Sequence, residues 1–184
     1  MRLKEWQTSL ICEICMVGGS NGINITTFWS FVEELKPKYE KELVSVNEIV
    51  EFEDFEEKEI VEKELIIDDD FKAWFWKEFV NLEQVILGNE EKTADSAQLK
   101  LNTYQEIEKS YSAVVVIIEE KIRDQIIYKN VDPEKVTKEW KELLYYICKH
   151  RYSGVLTTDL SDVFKKDAKT IFTRVKELVN LGLM

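Results

Sequence analysis

Apolar residues recur at three- and four-residue intervals along most of the chain, which predicts a succession of amphipathic helices. The first spans Leu3 to Val17, with Leu3, Trp6, Leu10, Ile14 and Val17 on one face. Gly18, Gly19 and Gly22, with Ser20 and Asn21, end it in a turn. Ile23 to Ile25 read as a short extended piece, and Thr26 or Thr27 can cap a second helix. Its inner face is Phe28, Phe31, Val32 and Leu35, and Pro37 is expected to stop it. Asp68 to Asp70 offer N-caps for a third helix, where Phe71, Trp74, Phe75, Phe79 and Leu82 repeat at helical spacing. Trp76 adds to this aromatic patch, which reads as core, with an exposed partner-binding edge as the alternative. Val85 to Leu87 then predict a strand, Gly88-Asn89 a turn, and Leu99 and Leu101 a return strand.

The second half starts with a β-branched run, Ser110 to Ile118, expected to be a buried strand. Glu119 to Tyr128 follow as a short helix with Ile122, Ile126 and Ile127 inward, and Asn130 to Pro133 as a loop. The next helix sets Trp140, Leu143, Leu144, Ile147 and Cys148 on one face and is broken by Gly154. Val155-Leu156 predict a short strand, and Thr157-Thr158 cap a helix with Leu160, Val163 and Phe164 inward. After the turn at Lys165-Lys166, a last helix opens at Asp167, a good N-cap, and ends at Gly182, placed for a left-handed cap. Its core face is predicted as Ala168, Ile171, Phe172, Val175, Leu178 and Val179. Lys169, Thr170, Thr173, Lys176, Glu177 and Asn180 fall opposite, with Arg174 and Leu181 at the boundary. Both halves thus repeat one plan of helix, glycine, aliphatics, Thr-Thr and helix: GINITTFWSFV against GVLTTDLSDVF.

Charge changes the picture. The net charge of −11 argues against nucleic acid as a partner, because phosphate affinity rests on Lys and Arg. The acid load is local, however: residues 41–70 hold thirteen Asp and Glu against three Lys. Residues 137–184 hold nine Lys and Arg against six acids, a balance of +3. The acidic stretch, about 40–67, reads as a solvated insertion or long exposed helix; the functional alternative is an arm that docks on a basic partner or masks a DNA face. The chain contains no apolar run long enough to span a bilayer and no signal peptide at Met1. Three cysteines point to a reducing compartment without a disulfide framework.

Catalytic and metal motifs are sparse. His150 is the single histidine, and Cys12-x-x-Cys15 has only Cys148 as a further thiol. A zinc site would need Cys148 and His150 to converge on that pair, so structural cysteines are expected and no metal or cofactor is. There is no P-loop, dinucleotide fingerprint or calcium loop, so neither enzyme chemistry nor a small-molecule substrate is expected.

Helix-turn-helix geometry suits the last two helices better. In that arrangement the third helix presents early residues to base edges while flanking cations hold phosphates. Lys169, Thr170 and Thr173 are the base-edge candidates; Lys165, Lys166, Arg174 and Lys176 are the phosphate candidates. A solvated face in a protein–protein module fits the same pattern.

The stretch YICKHRYSGVLTTDLSDVFKKDAKTIFTRVKELVNLGLM resembles the B-block-binding region of the largest subunit of transcription factor IIIC. Gly154, Asp159, Leu160, Asp167, Arg174, Leu178 and Gly182 fit that family's pattern. Lys166 stands where Gln is usual, Lys169 where Arg is, and Thr170 where Ser is. The glycine turn, Phe28-Trp29 and the Phe75-Trp76 helix are similar to the family's leading winged helix, and VVVIIEEKIRDQII to the connector. The resemblance implies a nuclear, non-catalytic DNA-binding and assembly module that recognises the B-box promoter of transfer RNA genes, with double-stranded DNA and other subunits of the factor as partners. The competing class is a winged-helix module that docks subunits without reading DNA. The expected fold is α+β, mostly helical, with tandem winged helices. The first occupies residues 1–107 with the acidic insertion, a strand-helix connector 108–136, and the second 137–184. Because the chain stops at Leu183-Met184, the second is expected to lack its wing, as in an N-terminal fragment.

Overall fold

The computed structural model describes residues 2–44, 65–89, 96–110, 114–129 and 131–184. Most of the acidic stretch, residues 45–64 of the insertion expected at about 40–67, lies outside the described residues. Helices dominate: α1 (Arg2–Gly18), α2 (Ile25–Val44), α3 (Asp69–Val80), α4 (Ser96–Lys100), α5 (Tyr104–Ser110), α6 (Glu120–Tyr128), α7 (Lys138–Lys149), α8 (Thr157–Phe164) and α9 (Ala168–Asn180). Strands β1 (Ile23–Asn24), β2 (Val85–Asn89) and β3 (Val114–Ile118) form a small antiparallel sheet in the order β1-β3-β2. The architecture is α+β and mostly helical. Two compact units form, Met1–Ile11 with Asn24–Val116 and Cys12–Ile23 with Ile117–Met184.

The first unit is built on aromatic packing. Trp6 of α1, Phe28, Trp29, Phe31 and Val32 of α2, and Phe75, Trp76 and Phe79 of α3 are buried. Phe28 meets Trp76 edge-on at 5.4 Å and Phe79 at 5.1 Å, while Trp6 meets Phe75 at 5.1 Å. Such contacts add to area burial because ring edges are positive and faces negative. Asp68 caps α3 as expected, accepting from the Phe71 N–H at 2.8 Å.

Several expectations for this unit are corrected. Trp76, not Trp74, is interior: Trp76 is 1% exposed and Trp74 45%. Asn24, not Thr26 or Thr27, caps α2, accepting from the Thr27 N–H at 2.8 Å, because the extended residue before the helix is the one whose oxygen reaches that donor. Pro37 sits inside α2 instead of stopping it. A proline deletes one hydrogen bond and crowds the carbonyl four residues back, but residues beyond it keep their donors. The return strand at Leu99 and Leu101 is instead helix α4 and the turn after it. Leu99 is buried and Leu101 84% exposed, although residues two apart on a strand share a face. β2, which includes Gly88 and Asn89, instead has β3 as its neighbour. The Leu87 N–H of β2 is met by the Ser96 hydroxyl of α4 at 3.0 Å. Thr103 and Glu106 form a capping box at the start of α5, with the Thr103 N–H on Glu106 Oε2 at 2.7 Å and the Glu106 N–H on Thr103 Oγ1 at 3.3 Å.

The second unit buries Ile14, Cys15, Ile127, Tyr128, Leu143, Leu144, Leu160, Ile171, Leu178 and Leu183. β3 alternates, with Val114, Val116 and Ile118 buried and Val115 and Ile117 less so; of the expected run Ser110 instead ends α5, and residues 111–113 lie outside the described residues. On α6, Arg123 and Tyr128 join Ile127 inside while Ile122 and Ile126 stay half-buried. Arg123 is partnered by Glu120 at 3.4 Å and Asp124 at 3.6 Å, which lets a cation sit there. Thr137 caps α7, accepting from the Trp140 N–H at 3.4 Å. Beyond α7, Arg151 donates to Glu13 at 2.8 Å and the Tyr152 hydroxyl to the same carboxylate at 3.2 Å. Val155-Leu156 form no strand, and Thr157 already lies within α8, with Leu156 in the cap position and no side-chain bond. Leu160 is buried as expected, Phe164 half-buried, and Val163 exposed. A helix of only two turns presents too narrow a stripe to bury all three.

Candidate nucleic-acid interface

α8, a short turn and α9 make the site. Lys165 ends α8 in the left-handed conformation, φ 52° and ψ 41°, and its N–H bonds the Ser161 carbonyl. Lys166 does the same at 3.2 Å, so both lysines are fixed by backbone bonds while their side chains are exposed. Asp167 then caps α9: its carboxylate accepts from the Thr170 N–H at 2.9 Å and the Thr170 hydroxyl at 2.6 Å. Those two bonds, the hydroxyl first, hold the Asp167 carboxyl below its ordinary pKa. At the far end, the Gly182 N–H bonds Val179 at 2.9 Å and the Leu183 N–H bonds Leu178 at 3.0 Å. This is a Schellman cap, with Gly182 at φ 73° and Leu183 folded back into the core near Leu178.

The buried face of α9 is not the one the pattern predicts. Ile171 and Leu178 are buried and Val175 half-buried, but Ala168, Phe172 and Val179 are exposed. The inner face is turned by about 50° around the axis relative to the predicted stripe, at about 100° per residue. Arg174, placed at the boundary, comes to the inner side. Its guanidinium lies 5.9 Å from the Trp140 ring centroid and donates to Glu177 at 3.1 Å. Its Nε is buried with no hydrogen-bond partner among the described residues.

Facing out, opposite Ile171 and Leu178, stand Lys169, Thr173, Lys176 and Asn180, all exposed. The Thr173 hydroxyl donates to the Lys169 carbonyl at 2.9 Å. Thr170 is half-buried at the edge, its proton committed to Asp167, so its oxygen is left as an acceptor. Lys166 lies 3.8 Å from Glu139 of α7, both half-exposed. The structure therefore brings Lys169, Thr173 and Lys176 onto one surface, sets Lys165 and Lys166 at the turn before it, and holds Arg174 against α7.

α3 begins on an equivalent aspartate cap, so the two helices can be aligned from Asp68 and Asp167. The positions of Lys169, Thr173, Lys176 and Asn180 are then filled in α3 by Asp70, Trp74, Lys77 and Asn81, also exposed. One helix leads with a cation, the other with a carboxylate and an exposed indole.

A concavity of about 440 Å³ is lined by Gly18, Gly19, Tyr145 and Tyr146, with Glu142 and Lys149 as its charged groups. His150 lies tilted against Tyr146, ring centroids 4.9 Å apart. Burial pushes the Cys15 thiol up to about 12 and raises those of Cys12 and Cys148, the opposite of a reactive or metal-ready thiolate. Among the described residues no three His, Cys, Asp or Glu side chains gather to hold a metal ion. No described helix is long and apolar enough to cross a membrane.

Residues 137–184 match the family model of the B-block binding subunit of TFIIIC. The match runs from the Thr137 cap of α7 through α8 and α9 to the Gly182 cap, and so includes every residue of the candidate surface. Against curated proteins the chain finds no match.

Proposed function

We propose that this chain is a DNA-binding and assembly module of a TFIIIC B-block-binding subunit, acting in the nucleus in RNA polymerase III transcription. Residues 137–184 form a winged-helix-type domain whose third helix, α9, lies in the major groove of the B-box of transfer RNA genes. The observation that carries this reading is the outward row Lys169, Thr173 and Lys176, led by Lys165-Lys166, inside the family-matched region. Lys169, Thr170 and Thr173 meet base edges, Thr170 as an acceptor. Lys165, Lys166 and Lys176 take phosphates; Arg174 reaches a phosphate only by sharing its guanidinium with Glu177, and otherwise sets α9 against α7. The mechanism is binding without bond chemistry, and no cofactor enters it.

For the leading winged-helix domain, residues 1–107, and the connector 108–136, the reading is assembly with other subunits. Asp70 and Trp74 favour it: a carboxylate at the leading outward position repels phosphate, while an exposed indole is typical of protein interfaces.

The test is binding of the full chain to a B-box duplex and a scrambled duplex across salt concentrations. A preference for the B-box that K169A and T173A relax supports the reading. Equal affinity for both duplexes removes sequence recognition by this chain and leaves docking alone.

A further inference from the structure

Phe172 is the residue of α9 whose placement departs most from its chemistry. It is 63% exposed, and Val179, two turns on along the same side, is 51% exposed. Lys169 and Lys176 stand three residues before and four after Phe172, so cations flank the ring on the outward side. Thr173 is its immediate neighbour on the outward row. An exposed phenyl set between lysines matches a surface that is anionic at its rim and apolar within. The major groove of thymine-containing DNA has that chemistry, with phosphates bordering 5-methyl groups.

We infer that Phe172 is a specificity-determining residue that packs on thymine 5-methyl groups in the major groove, beside the hydrogen-bonding contacts of Lys169 and Thr173. This rests on the DNA reading of α9. Lys165, Lys166 and Lys176 hold the backbones, and the ring then excludes water from the methyl edge of the contacted base pair. Cytosine presents no methyl there, so the contact discriminates T·A from C·G without a hydrogen bond.

The experiment uses the full chain and two duplexes of B-box sequence, one normal and one with every thymine replaced by uracil. The replacement removes 5-methyl groups and leaves charge and base-pairing edges unchanged. The expected result is that the wild-type chain binds the uracil duplex more weakly, by roughly fourfold for each methyl contacted. F172A binds the normal duplex more weakly by a similar factor and does not distinguish the two, while F172L keeps part of the difference. Wild-type indifference to the methyl groups overturns the inference even if B-box preference persists. So does an F172A chain that keeps the full uracil penalty. A wild-type chain with no preference for the B-box over a scrambled duplex removes the DNA reading itself, a result distinct from either.

Discussion

The guanidinium of Arg174 lies over the indole of Trp140, 5.9 Å from its centroid, and so ties α9 to the first turn of α7. Glu177 completes the arrangement by accepting from Arg174 at 3.1 Å. A fixed helix axis matters for a groove-reading helix, because base contacts depend on where its first turns point. A double-mutant cycle of R174A and W140A should give a coupling of about 0.5–1 kcal/mol in urea unfolding. A coupling of zero would show that the ring and the cation merely lie near each other. R174K should retain little of it, since an ammonium lacks the planar face that stacks on indole.

Under the proposed DNA reading, the 3.8 Å pairing of Lys166 with Glu139 sets carboxylate against phosphate. E139Q should therefore tighten duplex binding modestly and equally for B-box and scrambled sequences. K165A and K166A should each weaken all duplexes alike and flatten the log–log salt slope by about 0.9. Anisotropy titrations at several salt concentrations measure both effects, and a sequence-dependent response would contradict phosphate roles for these lysines.

Asp167 links the start of α9 to pH. Its folded pKa is depressed by the Thr170 hydroxyl and N–H, so its contribution is present above the ordinary carboxylate range. That contribution is lost as pH falls through the depressed folded value. D167A should lower Tm at neutral pH, D167N less so, and the gap between wild type and D167A should close at strongly acidic pH. Thermal melts from neutral to acidic pH check the sign; a gap that widens on acidification would refute it.

Two left-handed glycines should respond unequally to alanine. At Gly182, φ 73°, a methyl meets nothing within 4 Å, so G182A should cost only the conformational term, about 1 kcal/mol. At Gly19, φ 52°, a methyl would stand 3.1 Å from the Tyr145 ring, adding a steric cost to the same strain. Chemical denaturation should rank G19A as the more destabilised. Equal losses would mean that Tyr145 swings aside freely.

Thiol chemistry gives an independent check of burial. Cys15, held up to about 12 largely by desolvation, should resist alkylation at pH 8 in the folded chain and react on unfolding. Cys12 and Cys148, also raised by burial, should react slowly. Prompt labelling of Cys15 under native conditions would place it at the surface.

Much of this architecture is legible in short stretches of sequence. The Asp68 and Asp167 caps, the Thr137 cap and the left-handed Gly182 are local devices, in which a side chain or φ angle meets donors a few residues away. The Thr103–Glu106 capping box was equally legible as T-x-x-E, and it marks the start of α5. Helical periodicity identifies α1, α3, α7 and α9, and the charge count shows that acid is concentrated away from residues 137–184. The family resemblance and the family match fall on the same helices.

What periodicity could not supply is phase. Ala168, Ile171, Phe172, Val175, Leu178 and Val179 make an apolar arc wider than the contact any one neighbour offers, and the sequence alone centres the core on its middle. Packing against α7 and α8 selects one edge, Ile171 and Leu178, draws in Arg174 through Trp140, and leaves Phe172 and Val179 outside. The same holds in α3, where Trp76 takes the interior and Trp74 the surface. The sequence by itself determined that α1, α3, α7 and α9 are helical, that Asp68 and Asp167 start two of them, that Gly182 ends the last, and that this last one follows a pair of lysines. Tertiary structure decided which of their apolar residues are core and which are surface, because a helix's rotation about its axis is set by the partners it meets.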